Sequence, residues 1–294
     1  MAILGKSLQS KARRAKLAVK MSYLGIDLGG SKTIVAVFDS AGKIIVQKKF
    51  PTNNNYENFI RDVEKNVDEI STNTNIACSV AVPGLISRDT GVVHALGNLD
   101  WKDKPIRDDI SKAIGGIPVI IENDARTAGL AEADVLYGQY KRILYLTIST
   151  GIGGALIDDG KIAKDLEDTE MGQMPLLYEG KIQTWENFAS GKAIEKKYDK
   201  QASEIQDEEQ WKEIGGRIGY GLAVCCSILQ PQAVVFGGGA GQFADKFKGH
   251  VSNYLDSHLS PLVRRPEALL APAYVQSSAI TGCFLVLKQH GLIE

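Results

Sequence analysis

A segment near the start of this chain is written a second time in its middle. Leu24-Gly-Ile-Asp-Leu-Gly-Gly-Ser-Lys-Thr, leading to Asp39-Ser-Ala-Gly-Lys43-Ile44, aligns with Leu144-Tyr-Leu-Thr-Ile-Ser-Thr-Gly-Ile-Gly-Gly, leading to Asp158-Asp-Gly-Lys161-Ile162. Each copy reads as an apolar strand, a glycine turn, a second strand and an acidic turn closing on Gly-Lys-Ile. One copy would be a hairpin like many others; two predict a duplicated lobe.

Around the two copies, strands alternate with helices, which predicts an α/β fold. Tyr23–Asp27, Thr33–Phe38 and Lys43–Phe50 read as an antiparallel meander, with further strands at Ile76–Val82, Ile117–Ile121 and Ala233–Phe236. Within Tyr56–Ser71, the residues Phe59, Ile60, Val63, Val67 and Ile70 recur at helical spacing. Helices are also expected at Phe188–Lys197, Glu208–Leu229 and Ala279–Gln289, whereas Ala163–Thr184 reads as an irregular binding loop. The expected division is a basic extension over 1–20, an N-terminal lobe over 21–121 completed by the helix in 279–294, and a C-terminal lobe over 122–278.

Charge narrows the partners. With 34 basic and 35 acidic side chains in 294 residues, no whole-molecule field selects nucleic acid or a membrane surface. Cys78, Cys225, Cys226 and Cys283 show neither zinc-knuckle spacing nor disulfide density, and read as buried thiols of a reducing compartment. Without a long apolar span, the expectation is a soluble, cytoplasmic protein. The first twenty residues hold Lys6, Lys11, Arg13, Arg14, Lys16 and Lys20 without an acid, and read as a solvated extension rather than a targeting peptide.

The glycine turns suggest where chemistry lies. Gly29, Gly30, Ser31, Lys32 and Thr33 form one turn, and Thr150, Gly151, Gly153 and Gly154 the other. Glycine bends the backbone sharply and leaves N–H groups open to an anion, so two facing turns would clamp linked phosphates. Asp27 ends an apolar strand just before the first turn and suits a magnesium ion, which takes one or two protein carboxylates beside phosphate oxygens. The strand at 117–121 runs into Glu122-Asn123-Asp124 and a helix-forming stretch. Helix capping accounts for one of Asn123 and Asp124, and a general base at a strand's carboxyl end for the other.

These motifs together resemble the ROK family of bacterial sugar kinases and sugar-sensing repressors, within the actin-like ATPase superfamily. The resemblance runs from about Tyr23 to the C-terminus. It implies a two-lobed α/β fold with ribonuclease H-like duplicated lobes and a central cleft for sugar and nucleotide. Gly25-Ile-Asp-Leu-Gly-Gly-Ser-Lys-Thr33 looks like the family's first phosphate motif, Ile148-Ser-Thr-Gly-Ile-Gly-Gly154 its second, and Gly237, Gly238 and Gly239 its adenosine-side glycines. By the same resemblance Asp124 is the catalytic base, and Pro83, Gly84, Asn98, Asn123, Asp124, Glu170, Gln173 and Glu186 contact the sugar. Gln173 stands where zinc-containing relatives carry a histidine, and the cysteines expected between Glu179 and Thr184 are missing. No structural zinc is therefore expected.

The implied activity is transfer of the terminal phosphoryl group of ATP, with Mg2+, to a hexose hydroxyl, glucose being the foremost acceptor. Inorganic polyphosphate as donor, and fructose or an N-acetylhexosamine as acceptor, remain alternatives. Two other classes fit the sequence less well. A sugar-responsive repressor would need a DNA-reading domain, for which the roughly twenty residues before the first strand are too few; a silent sugar-binding protein would not need Asp27, both turns and Asp124. The expected partners are thus a hexose and a phosphoryl donor, with a homodimer left open.

Overall fold

A computed structural model describes residues 21–71, 74–97, 99–275 and 277–293. The expectations for residues 1–20 and for Asn98 lie outside the described residues.

The first sheet begins with β1 (Met21–Leu28), β2 (Lys32–Phe38) and β3 (Ile44–Pro51), an antiparallel meander. Helix α1 (Tyr56–Ile70) follows, capped by the Asn55 side chain, which accepts from the Asn58 N–H at 2.9 Å. Its Phe59, Val63 and Val67 are buried against the sheet, as their spacing predicts. The chain then enters β4 (Thr74–Val82), passes through β5 (Leu85–Ser87), β6 (Val92–Leu96), β7 (Leu99–Lys104) and α2 (Ile106–Ala113), and returns as β8 (Val119–Asn123). The strand order is β3-β2-β1-β4-β8, with β4 and β8 parallel to β1. Central β1 is covered on both faces and is accordingly apolar almost throughout, while edge strand β3 alternates.

After α3 (Asp124–Val135), the second sheet repeats this plan. β9 (Arg142–Ile148), β10 (Ile152–Asp158) and β11 (Lys161–Ile162) form a second antiparallel meander. Next come the hairpin β12 (Pro175–Tyr178) and β13 (Lys181–Thr184), then α4 (Trp185–Ala189), α5 (Gly191–Tyr198) and α6 (Glu208–Leu229). β14 (Ala233–Gly237), α7 (Gly238–Gly241), α8 (Ala244–His258), β15 (Ala268–Leu270) and α9 (Ser278–Gln289) complete the chain. The order β11-β10-β9-β14-β15 is the first sheet's order again, so the sequence repeat is a repeat of topology. The fold is the two-lobed actin-like ATPase architecture.

α9 packs on both halves. Ile280, Cys283 and Phe284 share a core with Tyr23, Ala36 and Phe38 of the first sheet, and Val286 one with Ile143 and Tyr145 of the second. All four cysteines are free and buried.

Two expectations need correction, and one sheet was not anticipated. The predicted helix over 188–197 is two helices, because Ser190 leaves helical geometry (ψ 166°) and its hydroxyl caps α5 at the Ala193 N–H. Gly191 there lies so close to the Ser149 carbonyl that a Cβ would stand 2.7 Å from the oxygen. The stretch read as irregular, 163–184, contains the 3-10 turns Lys164–Leu166 and Met171–Gln173 and the β12–β13 hairpin. Its two-residue turn has positive φ at both Glu179 (49°) and Gly180 (74°), the type I′ requirement. Finally, β5, β6 and β7 form a separate three-stranded sheet that no periodicity predicted.

Candidate active site

Of Asn123 and Asp124, the first takes the capping duty expected at this junction. The Asn123 side chain caps α3, accepting from the Ala125 and Arg126 N–H groups at 3.0 and 3.3 Å, and donates to the Gly84 carbonyl at 3.4 Å. Asp124, the first residue of α3, accepts from the Ala125 N–H at 2.9 Å and lines a cavity of about 630 Å³.

That cavity gathers most of the sequence-expected sugar contacts. Pro83, Gly84, Asn123, Asp124, Glu170, Gln173 and Glu186 all line it. Thr150, Gly151 and Gly153 of the second glycine turn close it. The Glu186 carboxylate ties that turn to the sugar side: it accepts from the Ile152 N–H at 3.3 Å and from Gln173 Nε2 at 2.8 Å. A Cβ on Gly151 would stand 2.5 Å from Glu186 Oε2, so this approach requires glycine. Gln173 therefore replaces the histidine of the resembling motif with an amide that orients Glu186.

A second cavity of about 540 Å³ adjoins the first, lined by Gly239 and Phe243. Ser149, Thr150 and Lys192 line both, so the two are joined beside the second glycine turn. A third, of about 180 Å³, holds Asp27, Asp124, Tyr145 and Gly238 together. Asp27 at the end of β1 and Asp124 just after β8 thus line the same space.

The remaining expected residues support rather than line. Gly154 packs on Met171 and Gly237 on the Tyr145 ring. Gly29 closes its turn by donating its N–H to the Lys32 carbonyl at 3.0 Å. Gly29, Gly30, Ser31, Lys32 and Thr33 line none of the three cavities; the first turn reaches the site through Asp27 beside it. Thr33, expected within the phosphate-clamping turn, needs correction: its side chain is fully buried and its hydroxyl bonds that of Thr52 at 2.8 Å. β2 alternation turns it into the core.

Three acids of the site, Asp27, Asp124 and Glu170, are held above the ordinary carboxylate range. Burial, then the nearby Asp124 carboxylate, pushes the Asp27 pKa up to about 7, with Lys32 opposing. Burial also raises Asp124, against the Ala125 N–H and Arg126, and raises Glu170, against Arg126. A hard divalent cation between Asp27 and bound phosphates fits this donor set, which offers carboxylate oxygens and no soft ligand. Among the described residues no group of three or more His, Cys, Asp or Glu is arranged to hold a metal by itself.

Sequence reading missed Arg126 and Lys192, both on the wall of the large cavity. Arg126 sits two residues after Asp124 in a stretch read only as helix-forming, and Lys192 directly follows Ala-Ser-Gly191; position was the only signal available.

Comparison with known proteins identifies the family. Residues 23–290 match the ROK family. The glucokinase of Halalkalibacterium halodurans is 25% identical over 92% of this chain and 97% of its own. The N-acetyl-D-glucosamine kinase of Salmonella typhimurium is 30% identical over 83% and 92%. A ROK family glucokinase from Streptomyces griseus, solved with glucose and AMPPNP, superposes with TM-score 0.77 at 22% identity, covering 91% of this chain and 99% of that one.

Proposed function

The chain belongs to the ROK family, and on that footing we propose that it is a hexose kinase transferring the terminal phosphoryl group of ATP to a sugar hydroxyl, most directly the 6-hydroxyl of glucose. One observation carries the reading: the Asp124 carboxyl, the second glycine turn and the polar side chains of Asn123, Glu170, Gln173 and Glu186 converge on a single cavity.

In this reading the hydroxyls of a hexose bind Asn123, Glu170, Gln173 and Glu186, and one hydroxyl meets Asp124. As the sugar oxygen attacks the terminal phosphorus, its proton passes to Asp124 and the bond to the leaving diphosphate breaks. Burial that raises Asp124 makes it a better proton acceptor at neutral pH than an exposed aspartate. Backbone N–H groups of the second turn bind phosphate oxygens, and glycine there leaves room for them. Magnesium, held by Asp27 and the phosphates, would neutralise charge on the transferred group.

The second cavity supports ATP over polyphosphate as donor. It offers the Phe243 ring and the Gly239 backbone to a nucleoside, and meets the sugar cavity at Thr150 and Lys192, where a triphosphate would lie. Residues 21–121 with α9, and 122–278, are read as lobes that close on the sugar and exclude water. Structural zinc has no part in this account: Tyr178 stacks on Phe188 at 4.1 Å, and Tyr220 Oη donates to the Leu177 carbonyl at 2.6 Å, so packing holds the β12–β13 hairpin. No helix among the described residues is long and apolar enough to cross a membrane.

The test crosses glucose, N-acetylglucosamine, mannose and fructose with ATP and polyphosphate in a coupled assay, using wild type and Asp124→Asn. Glucose with ATP should give the highest kcat/KM, and Asp124→Asn should lose about 10²–10⁴-fold in kcat while still binding sugar. Near-normal turnover by a folded Asp124→Asn protein would refute the base assignment.

A further inference from the structure

We propose that Arg88 is a positioning residue for the acceptor sugar, clasping the turn that carries Glu170 to the strand end that carries Asp124. The inference rests on the hexose-kinase reading and adds a residue that lines none of the three cavities.

Arg88 lies just beyond β5, and its guanidinium reaches three residues on two pieces of chain. Nε and Nη2 donate to the Glu122 carboxylate at 3.0 and 2.6 Å. Nη2 also donates to the Glu167 carbonyl at 2.9 Å, and Nη1 to the Asp168 carboxylate at 2.6 Å. Glu122 belongs to β8 of the first sheet, whereas 167 and 168 lie on the chain leaving the second, so one side chain bridges the two halves. Arg107 steadies the clasp from behind, donating to the Arg88 and Asp89 carbonyls at 3.3 and 2.9 Å.

Both ends of the clasp lead into the site. Glu122 is only 4% exposed, and its Oε1 accepts from the Asn123 N–H at 2.6 Å, fixing the residue that caps α3 and precedes Asp124. On the other end, Arg126 donates to the Thr169 carbonyl and faces Glu170 at 3.5 Å. The four residues 167–170 are therefore held from two sides, the first pair by Arg88 and the second by Arg126. Glu170 and Gln173 line the sugar cavity, while none of residues 167–173 lines the donor cavity.

A planar guanidinium can serve all three partners at once; a lysine ammonium has the charge but not the fork. Arg88→Lys therefore keeps a cation beside buried Glu122 and should fold, yet releases 167–168. Asp168→Ala leaves the Arg88–Glu122 pair intact and removes only the outer contact.

Kinetics with glucose and ATP varied separately, on wild type, both single variants and the double variant, test the proposal, with thermal melts to confirm folding. The glucose KM should rise about tenfold in Arg88→Lys and about threefold in Asp168→Ala, with the ATP KM within about twofold of wild type. The double variant should be no worse than Arg88→Lys, because lysine no longer reaches Asp168. An unchanged glucose KM, an equal rise in the ATP KM, or additive losses in the double variant would overturn the clasp. If wild type phosphorylates no hexose, the kinase reading fails instead. The clasp is then judged by calorimetric glucose binding: it requires tenfold weaker binding by Arg88→Lys, and falls if wild type binds no sugar.

Discussion

Replacing Asp27 by Asn should stabilise the metal-free protein, and by more at alkaline than at acidic pH. Burial and the Asp124 carboxylate raise the Asp27 pKa from its ordinary 3.8 to about 7. A carboxyl raised in the folded state favours folding fully while protonated in both states, below pH 3.8, and loses that contribution as pH climbs through 7. Each pH step between the two values costs about 1.4 kcal/mol, giving about 2 kcal/mol at pH 5 and about 4 kcal/mol at pH 8. Because the carboxyl opens onto a cavity, these are upper limits. Asn carries no charge at either pH, so its own packing cost cancels when the two are compared. Urea denaturation in EDTA at pH 5 and pH 8 should show the variant's advantage growing by up to about 3 kcal/mol. An advantage that does not change with pH would refute the reasoning, since it would mean that Asp27 ionises as freely in the fold as in the unfolded chain.

Two other predictions test packing. Gly151→Ala places a methyl 2.5 Å from Glu186 Oε2, so Glu186 must move; the glucose KM should rise about tenfold with little change in melting temperature. In Gly282→Ala the new methyl meets the Thr127 carbonyl where α9 crosses α3, a backbone contact that cannot swing aside. Overpacking there should cost about 1–3 kcal/mol in denaturant titration, and a neutral result would mean the helices can separate freely.

The duplicated strand-turn-strand pattern made the two sheets legible because a central strand must be apolar on both faces and a glycine turn must interrupt it. The same logic located Asp27 and Asp124, which stand where apolar strands end. The β5–β7 sheet was not legible: strands of three to six residues with Lys102, Asp103 and Lys104 among them leave no period to detect. The β12–β13 turn was missed because Glu179 enters the left-handed region, where Asn or Gly is the usual signal. At the site, Asp27, Asn123 and Asp124 could be named from local pattern. Arg88 could not, because its partners Glu122 and Asp168 lie 34 and 80 residues away and only the fold brings them together.

The placement of α9 bears on how the protein is made. Cys283 Sγ meets the Ile26 carbonyl across 257 residues of chain, and Phe284 rests on Tyr23 and Phe38. A ribosome therefore delivers the opening strands long before the helix that covers them. One side of that nascent sheet stays bare and sticky through most of translation, a window in which a chaperone would find its grip.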